Sequence, residues 1–267
     1  NNDWAIYTGL RIDRFKKYHG QHVTYDKVNK KYDTVNHGEG TYTELSPRLA
    51  IEHYLNDSLN VYVSYGHSFN PPPLSQVYRY SDIVKANPNL DPERSDSFEI
   101  GLKKEWNTKT TLNVSGFYVK TKDKIKYVTY YDRNGDVDYK MYNNVDLETR
   151  RGVELEVRHK LSSKWSVFGN YTWQMGRIKH KELPNTNTNE YTEINYDIPK
   201  HIFHAGLEYT SGKWNALWDT QYVSRRQSVD DITGQYGSED SYFISNVAMN
   251  YKFSKEATLQ LGVQNVF

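Results

Sequence analysis

Nearly every apolar segment of this chain alternates with a period of two, and the runs are too long for ordinary strands. Trp165, Val167, Gly169, Tyr171 and Trp173 share one face, opposite Ser166, Asn170, Thr172 and Gln174, with Phe168 the exception. Val153, Leu155 and Val157 alternate with Glu154, Glu156 and Arg158. Phe203, Ala205, Leu207 and Tyr209 alternate with His204, Gly206 and Glu208, and Leu259, Leu261 and Val263 oppose Thr258, Gln260 and Gln264. Successive side chains of a strand point to opposite faces, so each run is a strand with one apolar and one polar side. The runs extend over about 10 to 13 residues, against about five or six for a usual strand. That is the length a tilted strand needs to cross a bilayer. No helical period of useful length competes with this pattern.

The connections alternate in length. Short polar turns fall at Asn56-Asp57-Ser58, Asn107-Thr108-Lys109, Ser162-Ser163-Lys164, Ser211-Gly212-Lys213 and Ser254-Lys255-Glu256. Long excursions separate them, over Lys17–Thr41, Phe69–Ser95, Lys122–Thr149, Gly176–His201 and Ser224–Asp240. Compact soluble domains seldom hold so many long loops. Transmembrane barrels pair short turns on one side with long loops on the other, around a polar interior and aromatic girdles. The expected fold is therefore all-β: about eleven strands of an antiparallel transmembrane β-barrel. Both ends of the sequence read as mid-strand, and bacterial single-chain barrels have an even strand count. Residues 1–267 are therefore expected to be a piece of something larger.

Composition narrows the alternatives. The 34 Lys+Arg against 33 Asp+Glu give a net charge of +1, so no global field draws the chain to nucleic acid. With 24 Tyr, 9 Phe and 6 Trp the chain is too aromatic for a disordered one. It has no Cys, which excludes disulfides, thiolate metal sites and a cysteine nucleophile. A passive porin-like channel and a soluble β-sandwich adhesin or carbohydrate-binding module remain as alternatives. The sandwich fits less well, because its strands are shorter and its sheets must enclose a dry core.

Several stretches carry a family resemblance. VYVSYGHSFNPPPLSQVY (61–78) is similar to a strand ending in an aromatic-x-x-Pro box, here Phe69 and Pro72. ANPNLDPERSDSFEIGLK (86–103) resembles an Asn-Pro-x-Leu-x-Pro-Glu box and the strand after it, through Asn87, Pro88, Leu90, Pro92, Glu93, Glu99 and Gly101. NNVDLETRRGVELEV (143–157) is similar to an Asn…Gly-x-Glu strand entry, with Gly152 and Glu154. IPKHIFHAGLEY (198–209) resembles a Pro-x-His strand start, Pro199 and His201, and LGVQNVF a penultimate strand. Together they resemble, in order, the C-terminal part of the barrel of TonB-dependent outer-membrane receptors. The resemblance implies a 22-stranded barrel with a plugged lumen. Its plug, its first half and its final strand would lie outside residues 1–267. It also implies a receptor of a Gram-negative outer membrane, and not an enzyme: no catalytic residue and no cofactor are expected. The implied partners are the TonB energy-coupling complex, an iron chelate, and outer-membrane lipid with lipopolysaccharide.

The resemblance implies a scarce nutrient as ligand, and a ferric siderophore fits the loops. Tyr78, Arg79 and Tyr80 lie between the boxes, Lys126, Tyr127 and Tyr130 in the next excursion, and Arg225 and Arg226 near the end. Basic groups would hold an anionic chelate, and Tyr would add hydrogen bonds and flat apolar contact. For the haem alternative, residues 71–86 contain no His, which leaves His67 as a substitute ligand. Asp230-Asp231 and Glu239-Asp240 match no cation motif. Asn134-Gly135 in DRNGD is expected to make a hairpin turn. Gln174, Glu154 and Glu156 are expected to face the lumen.

Overall fold

A computed structural model describes residues 3–17, 20–26, 31–37, 40–78, 81, 83–186, 191–195, 198–229 and 236–266. The strands are β1 (Trp4–Lys17), β2 (Gly20–Asp26), β3 (Lys31–His37), β4 (Gly40–Asn56), β5 (Leu59–Asn70), β6 (Glu93–Trp106), β7 (Thr110–Tyr131) and β8 (Val137–Lys160). They continue with β9 (Trp165–His180), β10 (Tyr191–Asn195), β11 (His201–Ser211), β12 (Trp214–Val223), β13 (Arg226–Val229), β14 (Tyr236–Glu239), β15 (Tyr242–Lys252) and β16 (Thr258–Val263). A one-turn helix, α1 (Leu74–Val77), lies between β5 and β6. It is too short to leave a period in the sequence.

Eleven strands form one continuous antiparallel path, β1-β4-β5-β6-β7-β8-β9-β11-β12-β15-β16, with β10 added beside β9. That matches the expected strand number. The other two pairs, β2-β3 and β13-β14, are hairpins inside long connections. Turn chemistry closes the short side: Asn107 (φ 49°) and Thr108 (φ 55°) are both left-handed, as the central residues of a type I′ turn must be, and Lys109 N–H donates to the Trp106 carbonyl (3.0 Å).

Register keeps the faces pure across the sheet. Ile51, Val63, Ile100, Gly116, Val153 and Trp173 lie opposite one another in a single row through β4 to β9. The row one residue over, Ser64, Glu99, Phe117, Gly152 and Gln174, belongs to the other face. The first face leaves large apolar groups uncovered: Ile6 is 66% and Ile100 64% exposed. An apolar area of that extent needs an apolar medium against it. On the second face polar groups bond across strands. The Tyr62 hydroxyl donates to Glu99, Asn113 Nδ2 donates to Glu156 (3.1 Å), and Arg158 pairs with Glu208 (2.8 Å). Gln174, Glu154 and Glu156 share this polar face, as alternation implies.

Aromatic rings close over glycines on the polar face. The Tyr62 ring covers Gly101 and the Phe117 ring covers Gly152, each directly across the ladder. A Cβ at Gly101 would meet the Tyr62 ring at 2.6 Å, so this position of the family box is set by its neighbour.

The long excursions are more ordered than the sequence indicates. The ladder of β7 and β8 runs through most of Lys122–Thr149, leaving Asp132–Asp136 as the turn. β7 has 22 residues, which at about 3.3 Å each is about 70 Å of strand, far more than the ~25 Å apolar band of such a barrel requires. A register shift marks the exit: Asp123 (φ 57°) sits between Thr121 and Lys124, where the pairing slips. Alternating polarity does not reveal this outer segment, because Tyr and Lys occur on both of its faces.

Candidate functional site

Beyond that bulge lies the packed core of the chain. The described residues include six buried hydrophobics: Val77, Val84, Leu90, Val128, Val145 and Val223. All but Val223 lie where residues 71–78 and 83–92 dock on the β7/β8 hairpin. The dry core therefore sits at the end with the long loops, not between the faces of the sheet.

The proline box builds the dock. Leu90 and Pro92 are fully buried, and Tyr42 donates its hydroxyl to the Leu90 carbonyl. Asn87 Nδ2 donates to the Tyr142 carbonyl (2.8 Å), while its Oδ1 accepts from Asn89 N–H (3.1 Å). Asn144 receives Asp91 N–H on its Oδ1 (2.9 Å) and donates to the Asp91 and Asp123 carbonyls. Glu93 accepts the Ile125 N–H at the bulge (2.8 Å). Arg94 joins Glu44 (2.6 Å) and Asp123 (3.3 Å). β6 starts at Glu93, directly after Pro92, which lacks the N–H a ladder needs. Both flanking connections also add backbone bonds to the hairpin. Lys85 N–H donates to the Lys140 carbonyl (2.9 Å), and Tyr131 N–H to the Asn185 carbonyl (2.9 Å).

The candidate ligand residues divide among several settings. Tyr78 caps α1 and is half-buried; Arg79 and Tyr80 lie outside the described residues, as do Asp230 and Asp231. Tyr127 packs on Tyr142 (4.8 Å between centroids), and Tyr130 stacks on Tyr139 (4.6 Å, 13°), with Lys85 Nζ 3.5 Å over the Tyr139 ring. Burial pushes the Tyr130 hydroxyl up from its ordinary value. These rings and cations form one aromatic, basic outer hairpin. Lys126 stands apart, its Nζ 3.2 Å from His180 Nδ1, which lies 3.0 Å from Asp146 Oδ1. Asp146 and His180 are nearly inaccessible; burial pushes the Asp146 carboxyl up, against the pull of His180 and Lys126. Sequence reading missed this pair: Asp146 lies inside a recognised stretch, but nothing nearby marks His180 as its partner. Arg225 lies 3.8 Å from Asp240 and Arg226 2.5 Å from Glu239, so both already face carboxylates in the β13/β14 hairpin.

His67 is turned the wrong way for a lumen ligand. It falls in the apolar-face row with Asp96, and its Nδ1 is 2.8 Å from Asp96 Oδ1. Among the described residues no three His, Asp or Glu side chains gather as a metal site. In DRNGD, Asp132 Oδ1 accepts from Asn134 N–H (2.8 Å) and Asp136 N–H (2.9 Å), and Gly135 takes φ 87°, so the segment is the expected turn.

Comparison with known proteins decides the family. The model of the TonB dependent receptor-like β-barrel matches residues 1–266. The chain belongs to that family. A relative, the catecholate siderophore receptor Fiu of Escherichia coli K12, is 22% identical over 80% of this chain and 28% of its own length. The probable TonB-dependent siderophore receptor PiuA of Acinetobacter baumannii is 25% identical over 98% of the chain and 34% of its own. Among solved structures, Fiu aligns with a TM-score of 0.68 (18% identity, covering 100% of this chain and 38% of that one). The copper transporter OprC aligns at 0.70 (19% identity, covering 99% and 40%). The chain thus spans about a third of the length of these receptor-barrel relatives, and the structural likeness shows the shared fold.

Proposed function

We propose that residues 1–267 form the C-terminal portion of the barrel of an outer-membrane receptor that imports a ferric siderophore, energised through TonB. The observation that carries this reading is the family match, whose curated relatives are siderophore receptors by name. The remaining strands and the plug would come from other parts of the receptor, and the apolar face would meet outer-membrane lipid. The aromatic and basic outer hairpin supports ligand capture at that end. Tyr78, Arg79, Tyr80, Lys126, Tyr127 and Tyr130 are the proposed contacts. Arg225 and Arg226 would take part only if an anion displaces Asp240 and Glu239. The haem reading loses support, because His67 faces the apolar side and is held by Asp96.

The test uses the full receptor in a diderm host that lacks its own siderophore receptors. Under iron limitation, a single ferric siderophore from a catecholate and hydroxamate panel is expected to restore growth. Growth restored by haem alone would sink the siderophore reading.

A further inference from the structure

Just past the bulge, where β7, β8 and β9 leave the barrel wall, two titratable groups are sealed inside the protein. Asp146 lies directly opposite Lys124 on one side and His180 on the other. Asp146 is 3% and His180 1% exposed, with His180 Nδ1 3.0 Å from Asp146 Oδ1. Lys126 is half-buried and reaches the same ring nitrogen, its Nζ 3.2 Å from Nδ1. Among the described residues no carboxylate lies within ion-pair distance of Lys126, so it meets Asp146 through the ring. The other charges around the pair are placed elsewhere. Lys124 pairs with Glu148. Arg177 and Lys179 fall on the opposite face of β9 from His180 by alternation. From the far side, β10 sets Tyr191 opposite His180 and Glu193 opposite Ile178.

One ring nitrogen therefore faces both an ammonium and a carboxylate. It carries either a hydrogen or a lone pair, so it can donate to Asp146 or accept from Lys126, but not both. A cation held this way is readily given up to a stronger acceptor. Its departure leaves Asp146 a buried carboxylate with one positive neighbour fewer, and that favours taking up a proton. Burial already pushes the Asp146 carboxyl up from its ordinary value, and His180 is in place to share the proton.

We propose that Lys126, His180 and Asp146 form a proton-linked anion site: an anionic chelate draws Lys126 off the His180 ring, and the His180–Asp146 pair takes up one proton from water in exchange. Lys126 stays an ammonium throughout and is the group that touches the chelate. His180 and Asp146 are positioning residues, which hold the cation until an anion arrives and then balance its loss. The sign follows from linkage. The complex carries one proton more than the free receptor, so affinity rises as pH falls and levels off once the free pair is itself protonated. Histidine side chains in general titrate between about pH 5 and 8, which places the change near neutrality. The proposal rests on the receptor reading given above and adds to it how one contact is coupled to protons.

Titration calorimetry of the full receptor in mild detergent tests this, with the trianionic ferric tris(catecholate) complex as probe. Buffers of different ionisation enthalpy count the protons taken up on binding. Between about pH 8 and pH 6 the wild type is expected to bind up to about tenfold more tightly per pH unit, with uptake approaching one proton. Asp146→Asn should bind at about pH 8 as tightly as the wild type does at about pH 6, with no uptake. His180→Gln should lose most of the uptake, and Lys126→Met should bind more weakly at every pH, without uptake. Proton counting on the wild type needs no variant, and heat-modifiable migration shows which variants fold. Binding of the probe by the wild type without proton uptake would overturn the site while leaving the receptor reading intact. So would uptake that persists unchanged in folded Asp146→Asn and His180→Gln, or preference for an uncharged tris(hydroxamate) complex bound without uptake. Failure of either class of chelate to bind, with growth restored by haem alone, would overturn both readings.

Discussion

Gly152→Ala should destabilise the folded barrel by about 3 kcal/mol, while Gly169→Ala stays within about 1 kcal/mol. Both glycines lie in paired strands, and neither has a left-handed backbone. They differ in what a methyl group would meet. At Gly152 it would collide with the Trp173 carbonyl oxygen and come within 2.6 Å of the Phe117 ring. The carbonyl belongs to the adjacent strand and cannot swing aside as a side chain can. At Gly169 the nearest atom is the His204 carbonyl at 3.6 Å, an ordinary contact. The comparison is made in the full receptor, by the urea midpoint for loss of heat-modifiable migration. Equal midpoints for the two variants would show that aromatic cover over Gly152 does not constrain the wall.

Leu90→Ala should release residues 71–92 from the outer hairpin and leave the barrel ladder intact. Leu90 is completely buried and its carbonyl accepts the Tyr42 hydroxyl, so truncation opens a cavity in the small dry core. Such truncations cost about 2–5 kcal/mol. A loss of about 3 kcal/mol corresponds to about a hundredfold faster amide exchange for the segment that opens. The amides of Val84, Lys85 and Asn87 report this, because each is bonded within the dock or must be reached through it. Lys85 donates to Lys140 and Asn87 to the Val77 carbonyl. Exchange at mid-barrel amides such as Leu155 should not change. If the loop amides kept their protection, Leu90 would not be the anchor.

These two sites also show what the sequence reveals and what it hides. Alternation at 153–157 and 165–173 gives both faces and the strand path, since each strand meets apolar surroundings on one side and water on the other. The short turns are legible for the same reason: left-handed positions such as Asn107 call for a narrow set of residues. The proline box is visible as a pattern, but its job is not. That Asn87 reaches Tyr142, or that Leu90 is the most buried apolar side chain among the described residues, depends on contacts across about 50 residues. The outer halves of β7 and β8 read as loop, because Tyr127, Tyr130, Tyr139 and Tyr142 stack across strands instead of dividing into wet and dry faces. Asp146 and His180 are likewise joined only by the register of β8 and β9. The ligand residues are the least legible part. Their types fit an anionic chelate, and the fold then commits Arg225, Arg226 and Lys126 to protein partners.

The central claim, energised uptake of a ferric siderophore through this barrel, is tested most directly by radio-iron accumulation. Cells making the full receptor as their one siderophore receptor are given the labelled complex that supports growth. The account predicts accumulation that stops when the proton-motive force is collapsed, while binding at the cell surface persists. Accumulation that continues at the same rate after collapse would contradict it and point to a passive channel.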